Sequence, residues 1–176
     1  MGALRATAQM ISYELPMGLA LVSVALIVGS LRMSELVSFQ CAWPLIILQP
    51  VGFLIYFISG LAENNRSPFD LPETENELVS GFATEYGGIK FALFFIAESV
   101  NMVVISAIVV TVFLGGWQWP TFLASVHPIV SVIMFFAKVW LMLFVFVWIR
   151  ASLPRVRFDK LMMFSWKFMF PLALLN

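Results

Sequence analysis

The sequence of 176 residues has very few of the side chains that build disulfides and metal centres. It contains one cysteine, Cys41, and one histidine, His127. A disulfide needs two cysteines, and zinc, haem and iron–sulfur sites built by one chain draw on several cysteine or histidine ligands. We therefore expect no disulfide, metal or redox centre formed by this chain alone.

Charged residues are also scarce. They make up 11% of the sequence, against about a quarter in soluble proteins. The ten basic and ten acidic residues balance, so no basic surface indicates nucleic-acid binding. Hydrophobic residues reach 61% and the mean hydropathy is +0.97. This composition predicts an all-α, polytopic transmembrane helix bundle that forms one membrane domain over residues 1–176.

Apolar runs predict four full spans and a shorter fifth. A span of roughly 20 residues matches the hydrocarbon core, which is about 30 Å thick. The predicted spans are 12–31, 44–62, 89–114, 128–149 and 161–176. Most Lys and Arg residues in the loops lie on the side of Arg5. The positive-inside rule therefore places the N-terminus and the loop 63–88 on the cytoplasmic or matrix side.

The loop 63–88, called here the acidic loop, differs from the rest of the chain. Against one basic residue, Arg66, it holds six of the ten acidic residues: Glu63, Asp70, Glu73, Glu75, Glu77 and Glu85. Asp70-Leu-Pro-Glu73 predicts a helix start, with Asp70 as the N-cap and Glu73 closing a capping box. A charge run is usually only a solvated face. The prolines and capping residues favour a fixed shape, so we interpret this loop as the working surface.

Two charged residues, Glu98 and Lys138, are predicted near the middle of spans. A charge there costs about 2.5–3.5 kcal/mol on insertion scales and usually marks an ion path, a proton relay or a buried pair. A Glu98–Lys138 salt bridge is one alternative. We favour a relay in which Glu14, Glu63 and Glu98 lead from the acidic loop toward the bilayer centre. Closely spaced carboxylates in a low dielectric become exchangeable, coupled proton sites.

Prolines interrupt the first two predicted spans. Pro16 has no N–H, so it frees a backbone carbonyl that water or a side chain must satisfy. It lies two residues after Glu14, and Pro50 and Gly52 interrupt the second span.

Several blocks of the sequence resemble one family. They are Arg5-Ala-Thr-Ala-Gln-Met-Ile-Ser-Tyr-Glu14, Leu61-Ala-Glu-Asn-Asn-Arg-Ser-Pro-Phe-Asp-Leu-Pro-Glu73, Glu77-Leu-Val-Ser-Gly81, Glu85-Tyr86, Leu114-Gly-Gly-Trp117 and Arg150-Ala-Ser-Leu-Pro-Arg-Val-Arg-Phe-Asp159. In this order they resemble the H subunit of respiratory complex I, the NADH:quinone oxidoreductase (subunit 1 in mitochondria). The blocks span almost the whole chain and correspond to the C-terminal half of that subunit.

The resemblance implies a subunit, without a redox centre of its own, of a proton-translocating NADH:quinone oxidoreductase. It implies that quinone is the substrate of the complex and that flavin and iron–sulfur clusters lie in partner subunits. The implied partners are the peripheral-arm subunits at the quinone site and the other membrane-arm subunits. The implied location is the bacterial cytoplasmic membrane or the mitochondrial inner membrane.

The resemblance also implies roles for particular residues. The part of the acidic loop that would line the quinone chamber includes Arg66, Phe69, Asp70 and Glu73. The residues that would couple quinone reduction to proton movement are Glu14, Glu63, Glu73, Glu75, Glu77, Glu85 and Glu98. Lys138 joins this set because of its predicted depth in the fourth span. Ser99 follows Glu98 where many members of the family have tyrosine.

Other classes of protein compete with this interpretation. The equivalent membrane subunit of a hydrogenase or another complex-I-like oxidoreductase carries a similar acidic loop. A secondary transporter with its substrate at Glu98 and Lys138 would be expected to show an inverted repeat, and the sequence shows none. A purely structural membrane anchor would not need charges at mid-span.

Overall fold

The described part of the chain is helical. The computed structural model describes residues 2–41, 43–64, 69, 88–118, 128–154, 156 and 158–176, and this part of the chain contains no β-strand. Its helices are α1 Gly2–Val28, α2 Met33–Phe39, α3 Leu45–Leu48, α4 Pro50–Glu63, α5 Ile89–Phe113, α6 Pro128–Ser152, α7 Phe158–Phe164 and α8 Phe170–Leu175, with a π-helical segment, Ser165–Met169, between the last two. The predicted all-α class is confirmed.

Three of the described helices are long and apolar enough to cross a membrane, over Leu4–Val28, Ile89–Phe113 and Pro128–Ser152. Each has 25 residues, or about 37 Å at 1.5 Å per residue. Helices α5 and α6 begin at the first residues of the predicted spans. Helix α1 begins well before residue 12, because the Ala, Leu, Arg, Gln and Met residues of this segment favour helix. The topology of five spans stays a prediction.

The predicted span 44–62 is divided into α3 and α4. Gln49 lies between them with φ −135° and ψ 63°. The ring of Pro50 disfavours the helical conformation of the residue before it, and its missing N–H cannot bond to the carbonyl of Ile46. Helix α4 resumes with the Phe53 N–H donating to the Gln49 carbonyl at 3.2 Å. The interruption predicted at Pro50 is therefore present, and α4 has only 14 residues.

Helix α1 packs against α4 on one side and against the C-terminal helical segment on the other, and α5 packs between α4 and α6. The buried core includes Ala20, Val24, Ile55, Tyr56, Phe57, Ile105, Val109, Phe113, Met142 and Phe146. At Gly60, an added Cβ would lie 2.7 Å from Ile105 Cγ2, so α4 and α5 approach closely there. Small residues allow this close approach between membrane helices.

The outer faces of the long helices carry large apolar side chains. On α6, Phe136, Trp140 and Phe144 are 57%, 73% and 66% exposed. A soluble monomer rarely exposes so large a continuous apolar surface. Together with the length of the helices, this surface is that of a protein embedded in a membrane.

Pro16 determines how the C-terminal segment attaches to α1. Because Pro16 has no N–H, the Ser12 carbonyl lacks its helical partner. Ser165 donates its hydroxyl to this carbonyl at 2.6 Å, and Trp166 Nε1 donates to Ser12 Oγ at 3.2 Å. Ser165 opens the π-helical segment, which precedes another helix-breaking residue, Pro171. The substitute donor expected for the freed carbonyl is thus a side chain.

We predict that Ser165→Ala lowers the stability of the bundle. It leaves the Ser12 carbonyl buried without a partner, at a cost of about 1–3 kcal/mol. The midpoint of thermal unfolding in detergent should fall accordingly. Ser152→Ala is the matched control, because the exposed Ser152 hydroxyl bonds only within its own helix, to Trp148 O at 2.9 Å. Its effect should stay within about 0.5 kcal/mol.

The same substitution in a Pro16→Ala variant tests whether the Ser165 hydroxyl stabilises the protein through the Ser12 carbonyl. Pro16→Ala returns an N–H to the Ser12 carbonyl, so Ser165→Ala should cost less than half as much in that background. Equal losses in both backgrounds would show that the hydroxyl does not act through the carbonyl freed by Pro16.

Candidate functional site

Carboxylates of α1 and α4 lie close together where the acidic loop leaves α4, and a third carboxylate lies on α5. Glu63 is the last residue of α4 and is half-buried. Glu14 of α1 is exposed and close enough to act electrostatically on Glu63. Glu98 is half-buried in α5, the helix that follows the acidic loop. The structure therefore brings Glu14 and Glu63 together. Any connection from Glu63 to Glu98 runs through side chains that lie between these two residues.

Two amides make that connection. Asn101 of α5 donates from Nδ2 to Asn64 Oδ1 at 3.1 Å. Asn64 directly follows Glu63, and the Asn101 amide acts to lower the pKa of the Glu63 carboxyl. Glu98 lies three residues before Asn101, so the two share one face of α5 within a single turn. The order of groups is therefore Glu14, Glu63, Asn101 and Glu98. We call these four residues and Asn64 the carboxylate–amide cluster.

The environment of Glu63 disfavours its charged form. Glu63 lies one residue beyond the predicted span 44–62. Burial raises its pKa above the ordinary value, the carboxylate of Glu14 raises it further, and the Asn101 amide opposes both effects. Among the described residues, Glu63 Oε2 and Asn64 Nδ2 are buried atoms without a hydrogen-bond partner. Ionisable groups perturbed by burial and a specific neighbour are candidates for functional sites.

The start of the acidic loop is fixed to α1. Gln9, which is fully buried, donates from Nε2 to Ala62 O at 2.7 Å and to Phe69 O at 2.9 Å. Phe69 is half-buried, and its ring lies 6.2 Å from the ring of Tyr13, centroid to centroid. Phe69, predicted to line the quinone chamber, is thus attached to the same helix that carries Glu14.

The remaining predicted residues of the acidic loop lie outside the described part of the chain. They are Arg66, Asp70, Glu73, Glu75, Glu77 and Glu85, and the predicted short helix that starts at Asp70 lies there as well. The roles predicted for them stay predictions.

Lys138 lies at the other end of α5. Its Nζ donates to the carbonyls of Leu114, at 2.8 Å, and Gly116, at 2.9 Å. Glu98 precedes Leu114 by 16 residues, or about 24 Å along the helix axis. The structure therefore does not place Lys138 beside Glu98. The physical reason is that carbonyls at a helix C-terminus carry partial negative charge and attract a cation.

Gln40 also forms hydrogen bonds to the C-terminal end of α5. This fully buried amide donates from Nε2 to Leu36 O, Thr111 O and Val112 O at 3.1, 3.3 and 2.9 Å. Its Oε1 accepts the N–H groups of Leu45 and Gly115 at 3.3 and 2.8 Å. Gln40 therefore joins the ends of α2, α3 and α5.

Sequence reasoning missed the amides that hold both ends of the bundle, namely Gln9, Gln40, Asn64 and Asn101. They carry no charge, so a pattern of buried charges does not include them. For Gln9, Gln40 and Asn101 the signal in the sequence was a single amide among mostly apolar residues, whereas Asn64 gives no such signal because Glu63 and Asn65 flank it. In the described ranges, no group of three or more His, Cys, Asp or Glu residues is arranged to hold a metal ion.

The whole sequence, residues 1–176, matches the family model described as NADH dehydrogenase. The chain belongs to the NADH dehydrogenase family. A relative from Protochlamydia amoebophila, named as the H subunit of NADH-quinone oxidoreductase, is 50% identical over 99% of this chain and 52% of its own length. H subunits of NADH-quinone oxidoreductase from Deinococcus deserti and Geobacter sulfurreducens are 49% and 50% identical over all of this chain and 46% and 49% of theirs.

Membership of the NADH dehydrogenase family confirms the resemblance drawn from the sequence blocks. The chain spans about half the length of the curated relatives that it matches. The carboxylate–amide cluster is therefore a feature of the half that this sequence covers.

We predict that Glu98 and Lys138 contribute independently to stability. Sites more than 7–10 Å apart without shared partners usually add within about 0.5 kcal/mol. The effects of Glu98→Gln and Lys138→Met on the free energy of unfolding in detergent should therefore sum in the double variant. A coupling energy above about 1 kcal/mol would restore the salt bridge as an interpretation.

Proposed function

We propose that this chain forms part of the membrane subunit of a proton-translocating NADH:quinone oxidoreductase. In this proposal it helps to form the quinone chamber and carries the acidic path that couples quinone reduction to proton pumping. The observation that carries the proposal is the carboxylate–amide cluster at the start of the acidic loop. The names of the relatives, at about 50% identity, support the same class of complex.

The cluster can transmit a change of charge without any redox chemistry of its own. Reduction of a quinone to a quinol consumes equal numbers of electrons and protons, and protons taken from side chains beside the quinone would leave negative charge next to the acidic loop. A carboxyl whose pKa is raised by burial and by a neighbouring acid binds a proton more readily than an exposed one in response to such a change. In this account Glu63 responds first, and Glu14 and Glu98 respond through their coupling to it.

The partners follow from the same proposal. Electrons reach the quinone from flavin and iron–sulfur clusters held by other subunits. Peripheral-arm subunits would close the quinone chamber over the acidic loop, and membrane-arm subunits would receive the signal from the region of Glu98. The lipid bilayer is that of the bacterial cytoplasmic membrane or the mitochondrial inner membrane.

We predict that Glu98→Gln leaves assembly intact and removes coupled turnover. The amide keeps the shape and hydrogen bonding of the side chain, but it cannot ionise. Lys138 bonds to the end of α5, so the substitution does not deprive that cation of its two carbonyl acceptors. We expect normal abundance of the complex on native gels and a loss of about 100-fold or more in quinone-dependent proton pumping, the range lost with a proton-transfer group.

Glu35→Gln is the control for this substitution. Glu35 is an exposed acid of α2, the helix that follows α1, and its carboxylate lies 3.4 Å from Arg32 Nη1. Its replacement should leave pumping unchanged. Full pumping by Glu98→Gln would exclude an obligatory proton carrier at this position, and poor assembly would indicate a structural role.

We also predict the orientation of the chain. Cys41 is exposed and lies near Gln118, with Sγ 2.9 Å from Oε1. A membrane-impermeant maleimide should modify Cys41 only from the periplasmic or intermembrane side. In a Cys41→Ser background, Ser67→Cys in the acidic loop should react only from the opposite side. Modification of both positions from one side would contradict the topology.

A further inference from the structure

One buried amide of α1 binds two points of the chain at the start of the acidic loop. Gln9 is fully buried, and its Nε2 donates to Ala62 O at 2.7 Å and to Phe69 O at 2.9 Å. Both partners are carbonyl oxygens, so only the NH2 group of the amide can bind them. We infer that Gln9 is a positioning residue for quinone binding, because it fixes Phe69 relative to α1. The consequence for turnover rests on the proposed function.

The two hydrogen bonds join points that the chain itself leaves free to separate. Ala62 lies in the last turn of α4, where carbonyls have no partner within the helix. Phe69 follows seven residues later, and seven residues span about 23 Å when extended. In the structure both carbonyl oxygens lie within hydrogen-bond distance of one nitrogen. A side chain of α1 therefore constrains where the chain lies as it enters the acidic loop.

The ring of Phe69 is held by the same part of α1. Tyr13 follows Gln9 by four residues, one turn along the helix, and its ring centroid lies 6.2 Å from that of Phe69. Tyr13 is itself buried, and its hydroxyl donates to Leu161 O at 3.1 Å. Tyr13, Ala62 and Leu161 form a small buried cluster against which Phe69 packs. Both the backbone and the ring of Phe69 are thus in contact with α1.

The hydrogen bonds of Gln9 add direction to this packing. Burial of apolar surface is not directional, whereas a hydrogen bond restricts both a distance and an angle. Leucine is an apolar side chain of similar size without a donor. Gln9→Leu therefore keeps most of the packing and removes both bonds to the carbonyls of Ala62 and Phe69.

The effect on quinone binding follows from preorganisation. A chamber residue that is held in place before the ligand arrives leaves less of the protein to be ordered on binding. Molecules in which Phe69 is displaced do not contribute to binding, so the apparent affinity falls with the fraction that is competent. Loss of the Gln9 bonds should therefore raise KM for quinone more than it lowers kcat.

The experiment is hydrogen–deuterium exchange of the purified complex, followed by mass spectrometry of peptides that cover residues 63–70. Exchange in this segment should be at least about fivefold faster in Gln9→Leu, since one hydrogen bond contributes about that factor to an equilibrium. Gln40→Leu is the matched control. Gln40 is an equally buried amide that donates to backbone carbonyls at the C-terminal end of α5. Its replacement should lower stability and leave exchange in residues 63–70 unchanged.

Gln9→Asn provides a milder variant. It keeps the amide but shortens the side chain by about 1.5 Å, so one nitrogen no longer reaches both carbonyls. Exchange in residues 63–70 should increase by a smaller factor than in Gln9→Leu. If Gln9→Leu does not assemble, Gln9→Asn decides the matter. Exchange equal to that of the wild type, in the assembled Gln9→Leu complex or in Gln9→Asn where only that variant assembles, would overturn the inference.

Steady-state kinetics with a water-soluble short-chain quinone separate this inference from the proposed function. If both hold, KM rises in Gln9→Leu and in Phe69→Leu and stays unchanged in Gln40→Leu. Electron transfer to an acceptor that draws upstream of quinone stays normal in all three variants. If exchange becomes faster in Gln9→Leu while KM is unchanged in both Gln9→Leu and Phe69→Leu, Gln9 still fixes Phe69, and the proposed place of Phe69 in the quinone chamber fails. A higher KM in Phe69→Leu alone would overturn the role of Gln9 in quinone binding.

Discussion

The structure depends on one constraint, which is that a bilayer supplies no water to backbone groups left without partners. Each interruption of a helix must then be met by a donor or acceptor from elsewhere in the protein. The carbonyl freed by Pro16 receives the hydroxyl of Ser165, and this bond joins the C-terminal segment to α1. At the end of α5, Gln40 and Lys138 supply donors to its last carbonyls. The contacts that satisfy the backbone also decide which helices become neighbours.

The carboxylate–amide cluster departs from this pattern. A buried acceptor on Glu63 and a buried donor on Asn64 have no hydrogen-bond partner among the described residues, and the same holds for Gln9 Oε1 and Ser59 Oγ nearby. Departures from local satisfaction are expected at functional sites. These atoms lie near the start of the acidic loop, so the fold places unsatisfied polar groups beside the segment richest in acids. The proposed link between the bundle and proton-coupled chemistry rests on this coincidence.

Much of the fold follows from the sequence, because apolar run length and proline have strong local effects. The limits of α5 and the break at Pro50 follow from such signals. The early start of α1 was missed, since helix propensity extends beyond the apolar run. The carboxylates of the cluster could be named in advance, but Asn101 and the position of Lys138 could not. Both depend on which helix ends meet, and spacing along one helix does not encode that.

The central claim is that the carboxylates of the cluster change their protonation when quinone is reduced. Redox-induced infrared difference spectra of the complex test it directly, in the wild type and in Glu14→Gln, Glu63→Gln and Glu98→Gln. The account predicts a carboxylic C=O band in the wild type, present only when quinone turns over, that is lost in Glu63→Gln and altered in the other two variants. Identical difference spectra in the wild type and all three variants would contradict it.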